Sequence, residues 1–504
     1  MFLAEKLKQV ADLHPDRIIT SFKGRELRYG EFYSKSKNLA KYFQDLGYVK
    51  NDIIALCLRN SDSFLISYYA CQIGGFTVLP VNTKLTVPET EYILNHSEAK
   101  GLIYDEKHEH ILNQLDGKLP AIQNRLIIRE SLGEFEEIID GKHHKVNKHE
   151  AFPEDTAVIF YTSGTTGRPK GVMLSNNNIK AVSEIWSEAL EIDENDRMLI
   201  TTPLFHCAAC HVLATPVIYS GGMVIIQEIF SPDETIQLLK NERATLFFGV
   251  PAMYNMLLNN PTFYEGENFN LRTFCSGAAP LPFELMKKLK KKFPNTSVLN
   301  IYGQTENAPA ATILEDKYAL LKAGSVGVAL PQTEMKVINK YEKPVNVGEV
   351  GEIAIKGPQV MKGYLRNKEE TQRVLRNGWL LTGDLGRIDD DGLLYIVDRR
   401  SDMIIRGGEN IYPVEIEEVL YAIPEVLEAT VVGIPDELYG EIPLAFIVTK
   451  DGQKLTEQDV FNFCKGRLAS YKLPSEVKFL KSLPRNASGK VLKTRLRDST
   501  KLEN

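Results

Sequence analysis

Apolar residues along this chain follow two alternating rhythms. Short β-branched and aliphatic runs at residues 53–57, 76–80 and 101–104 read as strands. Between them, residues 61–73 and 88–96 carry apolar positions at helical spacing, with Pro88 in a first turn where its missing N–H is tolerated. Residues 1–17 predict a polar amphipathic helix with Phe2, Leu3, Leu7, Val10 and Leu13 on one side. From residue 18 to about 380 this alternation predicts an α/β fold of largely parallel sheets covered by helices. Residues 116–154 are more polar, rich in His and Lys, and read as surface structure. Near Gly383 the texture changes to a compact block, with strands at 393–397, 429–433 and 444–448 and helices at 414–422 and 457–468. A chain of 504 residues is too long for one core. The expected division is a large N-terminal domain of packed β-sheets and helices over 1–398 and a small α+β C-terminal domain over 399–504.

Composition narrows the function classes. Hydrophobic residues at 43% and charged residues at 25% are ordinary for a globular protein. A net charge of -6 argues against holding nucleic acid by charge alone, while leaving room for a local phosphate pocket. No uninterrupted apolar run of about 18 residues marks an integral membrane segment. The N-terminal segment lacks the apolar run of a signal peptide, Lys501 to Asn504 is not a peroxisomal address, and six scattered cysteines fit a reducing compartment, so the expected location is cytoplasmic. Cys207-Ala-Ala-Cys210-His211 spells a haem-attachment motif, but without an export signal it reads as an apolar segment. Zinc ligation by His206, Cys207, Cys210 and His211 lacks a second cluster with ligand spacing. The basic run 287–292, interleaved with Leu285, Met286, Leu289 and Phe293, predicts a solvated amphipathic helix, with peripheral membrane contact as the alternative.

The strongest chemical signal follows the apolar strand 156–160. Tyr161-Thr162-Ser163-Gly164-Thr165-Thr166-Gly167-Arg168-Pro169-Lys170-Gly171 combines three glycines with four hydroxyl side chains. Glycines let the backbone approach an anion, and both N–H and hydroxyl groups can donate to phosphate oxygens, with Lys170 adding positive charge. The Gly-Lys-Ser/Thr ending of a Walker A loop is missing. A helix follows, capped by Ser175, with Ile179, Val182, Trp186 and Leu190 on one face.

This loop resembles the phosphate-binding signature of the adenylate-forming superfamily of acyl-CoA synthetases, luciferases and nonribosomal adenylation domains. Further segments match in the superfamily's order: Pro203 to His206, Ser276 to Leu281, Tyr302-Gly303-Gln304-Thr305-Glu306, residues 348–363, Thr382-Gly383-Asp384, residues 398–418 and Pro484 to Lys490. The resemblance covers nearly the whole chain and implies that the small domain is mobile, with a hinge near 399–402. It implies adenine stacking on Tyr302 against the backbone edge of Gly277, Ala278 and Ala279, with Gly303 beside it. Thr305 would donate to the α-phosphate, and Glu306 would ligate Mg²⁺, a hard cation that favours carboxylate oxygen. Asp384 and Arg399 would meet the ribose. Lys490 would be the adenylation lysine, stabilising charge as carboxylate attacks the α-phosphorus. His206 matches an aromatic position at the acyl site. Gly407, Gly408, Glu409 and Asn410 would admit a pantetheine thiol. The hinge position, commonly Asp or Lys in the superfamily, is Ser401 here, followed by Asp402.

The implied activity is that of an ATP-dependent acid–thiol ligase. It would use ATP, Mg²⁺ and coenzyme A, convert a small-molecule carboxylic acid to its acyl-CoA through acyl-AMP, and release pyrophosphate and then AMP. Amino-acid-activating members place an Asp just after the segment matching Pro203 to His206. Residues 207–217 contain no acidic residue, so an uncharged acyl group is expected, a medium- or long-chain fatty acid first. An aryl-acid ligase, such as one for succinylbenzoate, and a fatty acyl-AMP ligase loading a carrier protein are the alternatives. A nucleic-acid partner is not expected, and a homodimer is compatible with the pattern.

Overall fold

The computed structural model describes the chain apart from residues 130–132, 142–145, 148–149, 163–167, 264–268, 280, 400–401, 408, 486–490 and 502–504. Of the predicted site residues, Ser163, Gly164, Thr165, Thr166, Gly167, Gly408 and Lys490 lie outside the described residues, as do Ser401 and the side chain of Arg399.

The apolar runs assemble into three sheets among the described residues. In the seven-stranded sheet, Ile53–Cys57 lies between Thr77–Pro80 and Gly101–Asp105, parallel to both. Thr156–Thr162 runs parallel to Thr77–Pro80 and antiparallel to Lys170–Ser175. The Gly-rich segment therefore joins two paired strands. Ser175 caps the helix Asn176–Ala189, its hydroxyl accepting from the Asn178 N–H at 3.2 Å. Ile179, Val182, Trp186 and Leu190 are buried, as their spacing predicts.

The fourteen-stranded sheet begins as expected. Ile18–Phe22, Met223–Ile226, Arg197–Ile200, Leu246–Gly249, Thr273–Ser276 and Ser297–Tyr302 are parallel neighbours. Beyond Tyr302 the expectation of largely parallel pairing fails. Thr312–Leu314, Ser325–Ala329, Leu394–Arg399, Trp379–Ile388, Gly351–Lys356 and Glu334–Ile338 are antiparallel. Where consecutive strands are joined by short connections this follows directly, because a tight turn can join only antiparallel strands. At one of them Gly392 sits at φ +80°, and the Asp389 carboxylate accepts from the N–H groups of Asp391 and Leu393. The strand near 393–397 accordingly lies inside the large sheet, between Trp379–Ile388 and Ser325–Ala329, on the N-terminal side of the expected boundary at 399.

Two further expectations are corrected. Leu13 is exposed because its helix, Leu3–Leu13, ends there, and the inward face is Leu3, Leu7, Val10 and Ala11. Within 116–154, Asn124–Ile128 extends the seven-stranded sheet beside Gly101–Asp105, and Glu134–Asp140 is a helix burying Phe135, Ile138 and Ile139.

The third sheet, of five strands, starts at Ile404–Arg406 and includes Glu409–Ile411, Val426–Asp436, Gly440–Thr449 and Glu476–Phe479. Its helices Pro413–Tyr421 and Glu457–Cys464 bury Ile416, Leu420 and Val460 in a separate cluster with Val431, Ala445 and Ile447. The change of sheet falls between Arg399 and Ile404. Asp402 is tied to the C-terminal helix Lys493–Lys501 through Arg497 at 2.8 Å.

Candidate active site

Ends of parallel strands are where open α/β sheets place ligands. Here the ends of Thr273–Ser276 and Ser297–Tyr302 lie side by side, with Ser276 opposite Asn300. Gly277 leaves the first strand where a Cβ would come within 2.8 Å of the Ile301 carbonyl oxygen, so this edge can pack closely only as glycine. Ala278 follows at φ +65° and is exposed, and Ala279 is half-buried. Tyr302 ends the second strand with its ring largely buried. Gly303 then passes Pro309 so closely that a Cβ would lie 2.4 Å from its carbonyl carbon. Gln304 turns the chain into the 3₁₀ turn Thr305–Asn307, which carries Thr305 and Glu306; its N–H donates to Asn307 Oδ1 at 2.8 Å.

Asp384 reaches this point from 82 residues downstream. It lies within the strand Trp379–Ile388, not in a free turn, at an irregularity where Gly383 adopts φ +72°. Such a bulge re-aims the following side chain. The Thr382 hydroxyl accepts from the Asp384 N–H at 3.1 Å and donates to the Ile353 carbonyl at 2.8 Å, bracing the bulge. Asp384 is 5% exposed. Its Oδ2 accepts from Tyr302 Oη at 2.7 Å and from Gln304 Nε2 at 2.6 Å. Charge-assisted bonds of this kind satisfy a carboxylate that would otherwise be costly to bury. Arg399 stands opposite Asp384 in the neighbouring strand.

A second carboxylate sits beside this frame. Glu306 Oε1 accepts from Tyr364 Oη at 2.9 Å, and its carbonyl accepts from the Met361 N–H at 2.9 Å. Burial first, then the Glu306 charge, pushes the Tyr364 phenol well above its usual range, so it remains a donor. Tyr364 belongs to Gly363–Tyr364, which pairs with Lys170–Ser175 at the exit of the Gly-rich segment. Lys170 lies over the Tyr364 ring at 4.6 Å and pairs with Glu370 at 2.7 Å. Arg373 and Lys170 hold the Glu370 carboxyl down at about 2. Among the described residues no group of three or more His, Cys, Asp or Glu side chains could hold a metal. A single carboxylate such as Glu306 still suits Mg²⁺, which uses one or two carboxylates plus phosphate oxygens and water.

His206 follows the turn after Arg197–Ile200, its N–H donating to the Pro203 carbonyl at 3.0 Å. Its ring tilts against Phe205 with 4.8 Å between centroids, and Nε2 is buried without a hydrogen-bond partner. Burial, with a small contribution from Lys84, lowers its pKa to about 4. The nearby His211, in contrast, is buried with ring partners: its Nε2 lies 2.8 Å from Tyr68 Oη and its Nδ1 lies 3.6 Å from Cys207 Sγ. Cys207 and Cys210 are buried, and burial pushes both thiols up. Gly407, at φ +57°, follows the strand Ile404–Arg406, and Glu409 and Asn410 lie on the strand Glu409–Ile411 paired with it; the Gly407 N–H donates to the Tyr439 carbonyl at 2.7 Å. Sequence reasoning missed Gln304 and Tyr364 as partners of the two carboxylates.

The neutral His206 imidazole carries a pH prediction. The unfolded chain takes up a proton near the ordinary value of 6.5, whereas the folded ring resists protonation down to about 4. Its stabilising contribution is therefore complete above pH 6.5 and is lost as pH falls toward 4. Thermal midpoints measured from pH 7 to pH 4 should fall more steeply in the wild type than in His206→Asn. Equal slopes would mean that the ring protonates freely in the folded protein.

The fold is that of an adenylate-forming synthetase. The model for AMP-binding enzymes matches residues 7–365, and that for the AMP-binding enzyme C-terminal domain matches residues 415–490. The chain is 37% identical to 2-succinylbenzoate–CoA ligase of Bacillus licheniformis, over 97% of this chain and 98% of that protein. It is 36% identical to long-chain-fatty-acid–CoA ligase FadD13 of Mycobacterium tuberculosis, over 94% of this chain and 93% of that protein. The solved o-succinylbenzoate CoA synthetase of Bacillus subtilis, in complex with the acyl-adenylate intermediate OSB-AMP, superposes with a TM-score of 0.86 at 32% identity, covering 98% of each chain. This chain belongs to the AMP-binding enzymes, in the branch of acyl-CoA synthetases and CoA ligases.

Proposed function

We propose that the chain activates an uncharged carboxylic acid, a medium- or long-chain fatty acid first, as acyl-AMP and transfers the acyl group to coenzyme A. In this reading Tyr302 and the Gly277–Ala279 edge hold adenine, and Asp384 with Arg399 holds the ribose. Thr305 and the 162–167 segment, with Lys170 behind it, hold the phosphates. Glu306 would hold Mg²⁺, which when bound neutralises phosphate charge. The substrate carboxylate attacks the α-phosphorus and pyrophosphate leaves, with Lys490 meeting the charge that develops. The small domain, 399–504, then turns about 399–402 and presents Gly407–Asn410. The coenzyme A sulfur forms the thioester bond, and AMP leaves as the acyl–phosphate bond breaks. We place the enzyme in the cytoplasm.

The observation that carries the acyl class is the segment after His206. Residues 207–217 contain no carboxylate, and Ala209–Ala214 is a buried π-helical stretch continuing into Thr215–Tyr219. An ammonium group there would meet no counter-charge from this segment and would be costly to desolvate. The similarity to a succinylbenzoate ligase supports an aryl acid as the second reading. ATP–pyrophosphate exchange over fatty, aryl and amino acids tests both. Strong exchange with a fatty acid and background exchange with amino acids is expected; strong exchange with an amino acid and none with fatty acids would sink the proposal. Product analysis with free coenzyme A separates this acceptor from a carrier protein.

A further inference from the structure

We infer that Gln304 is a positioning residue for nucleotide selection, orienting the Asp384 carboxylate before ATP arrives. The inference rests on the reading of Asp384 as the ribose ligand and adds a residue that acts through it. Tyr302 and Gln304 are two positions apart on extended backbone, Gln304 having φ -127° and ψ 160°, so their side chains leave the same face. Both reach one oxygen, Asp384 Oδ2, at 2.7 and 2.6 Å. The second bond of the Gln304 amide nitrogen goes to the Thr382 carbonyl at 3.0 Å. Both amide hydrogens are thus committed, one to the carboxylate and one to the backbone of the bulge that carries it. This fixes which end of the amide faces Asp384 and fixes the carboxylate against its own strand.

The same residue also anchors the opposite wall. Its N–H holds Asn307 Oδ1 and with it the turn bearing Thr305 and Glu306. Gln304 therefore links the Glu306 turn to the Asp384 bulge across 80 residues of sequence. Preorganisation of this kind lowers the ordering cost of binding, so its loss should appear in ATP affinity, and selectively for nucleotides with an intact ribose. An aliphatic side chain of similar length at 304 would keep the packing and remove the donor.

Calorimetric binding of ATP, 2′-deoxy-ATP and 3′-deoxy-ATP to the full chain, without acid substrate, tests this. Asp384→Ala should abolish most of the preference for ATP over the deoxy analogues. Gln304→Met should weaken ATP about tenfold, the size of one hydrogen bond to a charged group, and the analogues much less. In the Asp384→Ala background the same change should have an effect below about twofold, the mark of two residues acting as a unit. Steady-state kinetics should show the loss in KM for ATP, with kcat at saturating ATP little changed. Equal weakening of ATP and the analogues by Gln304→Met, or a full effect in the Asp384→Ala background, overturns the inference alone. An Asp384→Ala protein that keeps its preference overturns the ribose reading and this inference with it.

Discussion

Lys490→Ala should lower acyl-AMP formation by about two or more orders of magnitude while leaving thiolysis of supplied acyl-AMP nearly intact. The expectation rests on what one preorganised positive charge does at an attacking carboxylate and an α-phosphate. Lys490 itself lies outside the described residues, but the chain on either side of it is firmly held. Arg485 and Val491 form an antiparallel bridge, and the Leu492 N–H donates to the Pro484 carbonyl at 2.8 Å. The following helix is pinned by Lys493 to Glu417 at 2.9 Å and by Arg497 to Asp402 at 2.8 Å. Glu417 in turn accepts from the Thr430 hydroxyl and the Val431 N–H, in the middle of the small sheet. The residues flanking the lysine are thus anchored on the small sheet, and Asp402 couples the helix Lys493–Lys501 to the approach to Ile404–Arg406. A contact made in the adenylation pose alone should serve one half-reaction and not the other. Single-turnover kinetics of each half-reaction decides it. If both fall together in a folded variant, the two-pose assignment of Lys490 is wrong.

How much of this was legible before folding depended on the range of the interactions. Local signals read well. The Ser175 cap and the spacing of Ile179, Val182, Trp186 and Leu190 need only one helix and the neighbour it packs against. The parallel strands up to Tyr302 are apolar because both faces are covered. The antiparallel half was harder, since Glu334–Ile338 and Trp379–Ile388 are only partly buried. Its signals were turns, such as Asp389 to Gly392, which mark hairpins independently of hydrophobicity. Residues 116–154 misled because polarity was averaged over the whole stretch. Phe135, Ile138 and Ile139 have helical spacing among acidic neighbours, and that period was the missed signal. The site followed the same rule. Motif order brought out Tyr302, Glu306 and Asp384, but the donors that orient the two carboxylates are set by pairings 58 to 82 residues apart. Nothing in the local sequence of Gln304 or Tyr364 reports those partners.

The Tyr364 contact shapes the second large expectation. Glu306→Gln should reduce magnesium-dependent adenylation by about two orders of magnitude, because it removes the carboxylate charge we propose for the ion and leaves the fold in place. The substitution is close to isosteric. A glutamine carbonyl oxygen can still accept from Tyr364 Oη, now at 2.9 Å from Oε1, and the backbone bond from Met361 to the residue 306 carbonyl is untouched. The 3₁₀ turn Thr305–Asn307 should therefore persist, and thermal stability should change little. The direct readout is ATP affinity with and without magnesium. The wild type should bind ATP more tightly when magnesium is present, because a carboxylate and the phosphates share the cation. In Glu306→Gln that gain should shrink, while affinity without magnesium should hold or rise slightly as a negative charge near the phosphates is removed. Glu306→Asp separates charge from reach: it keeps the carboxylate but draws it away from Tyr364, so part of the magnesium gain should survive. A Glu306→Gln protein whose magnesium gain matches the wild type would remove Glu306 from the metal site, whatever its turnover.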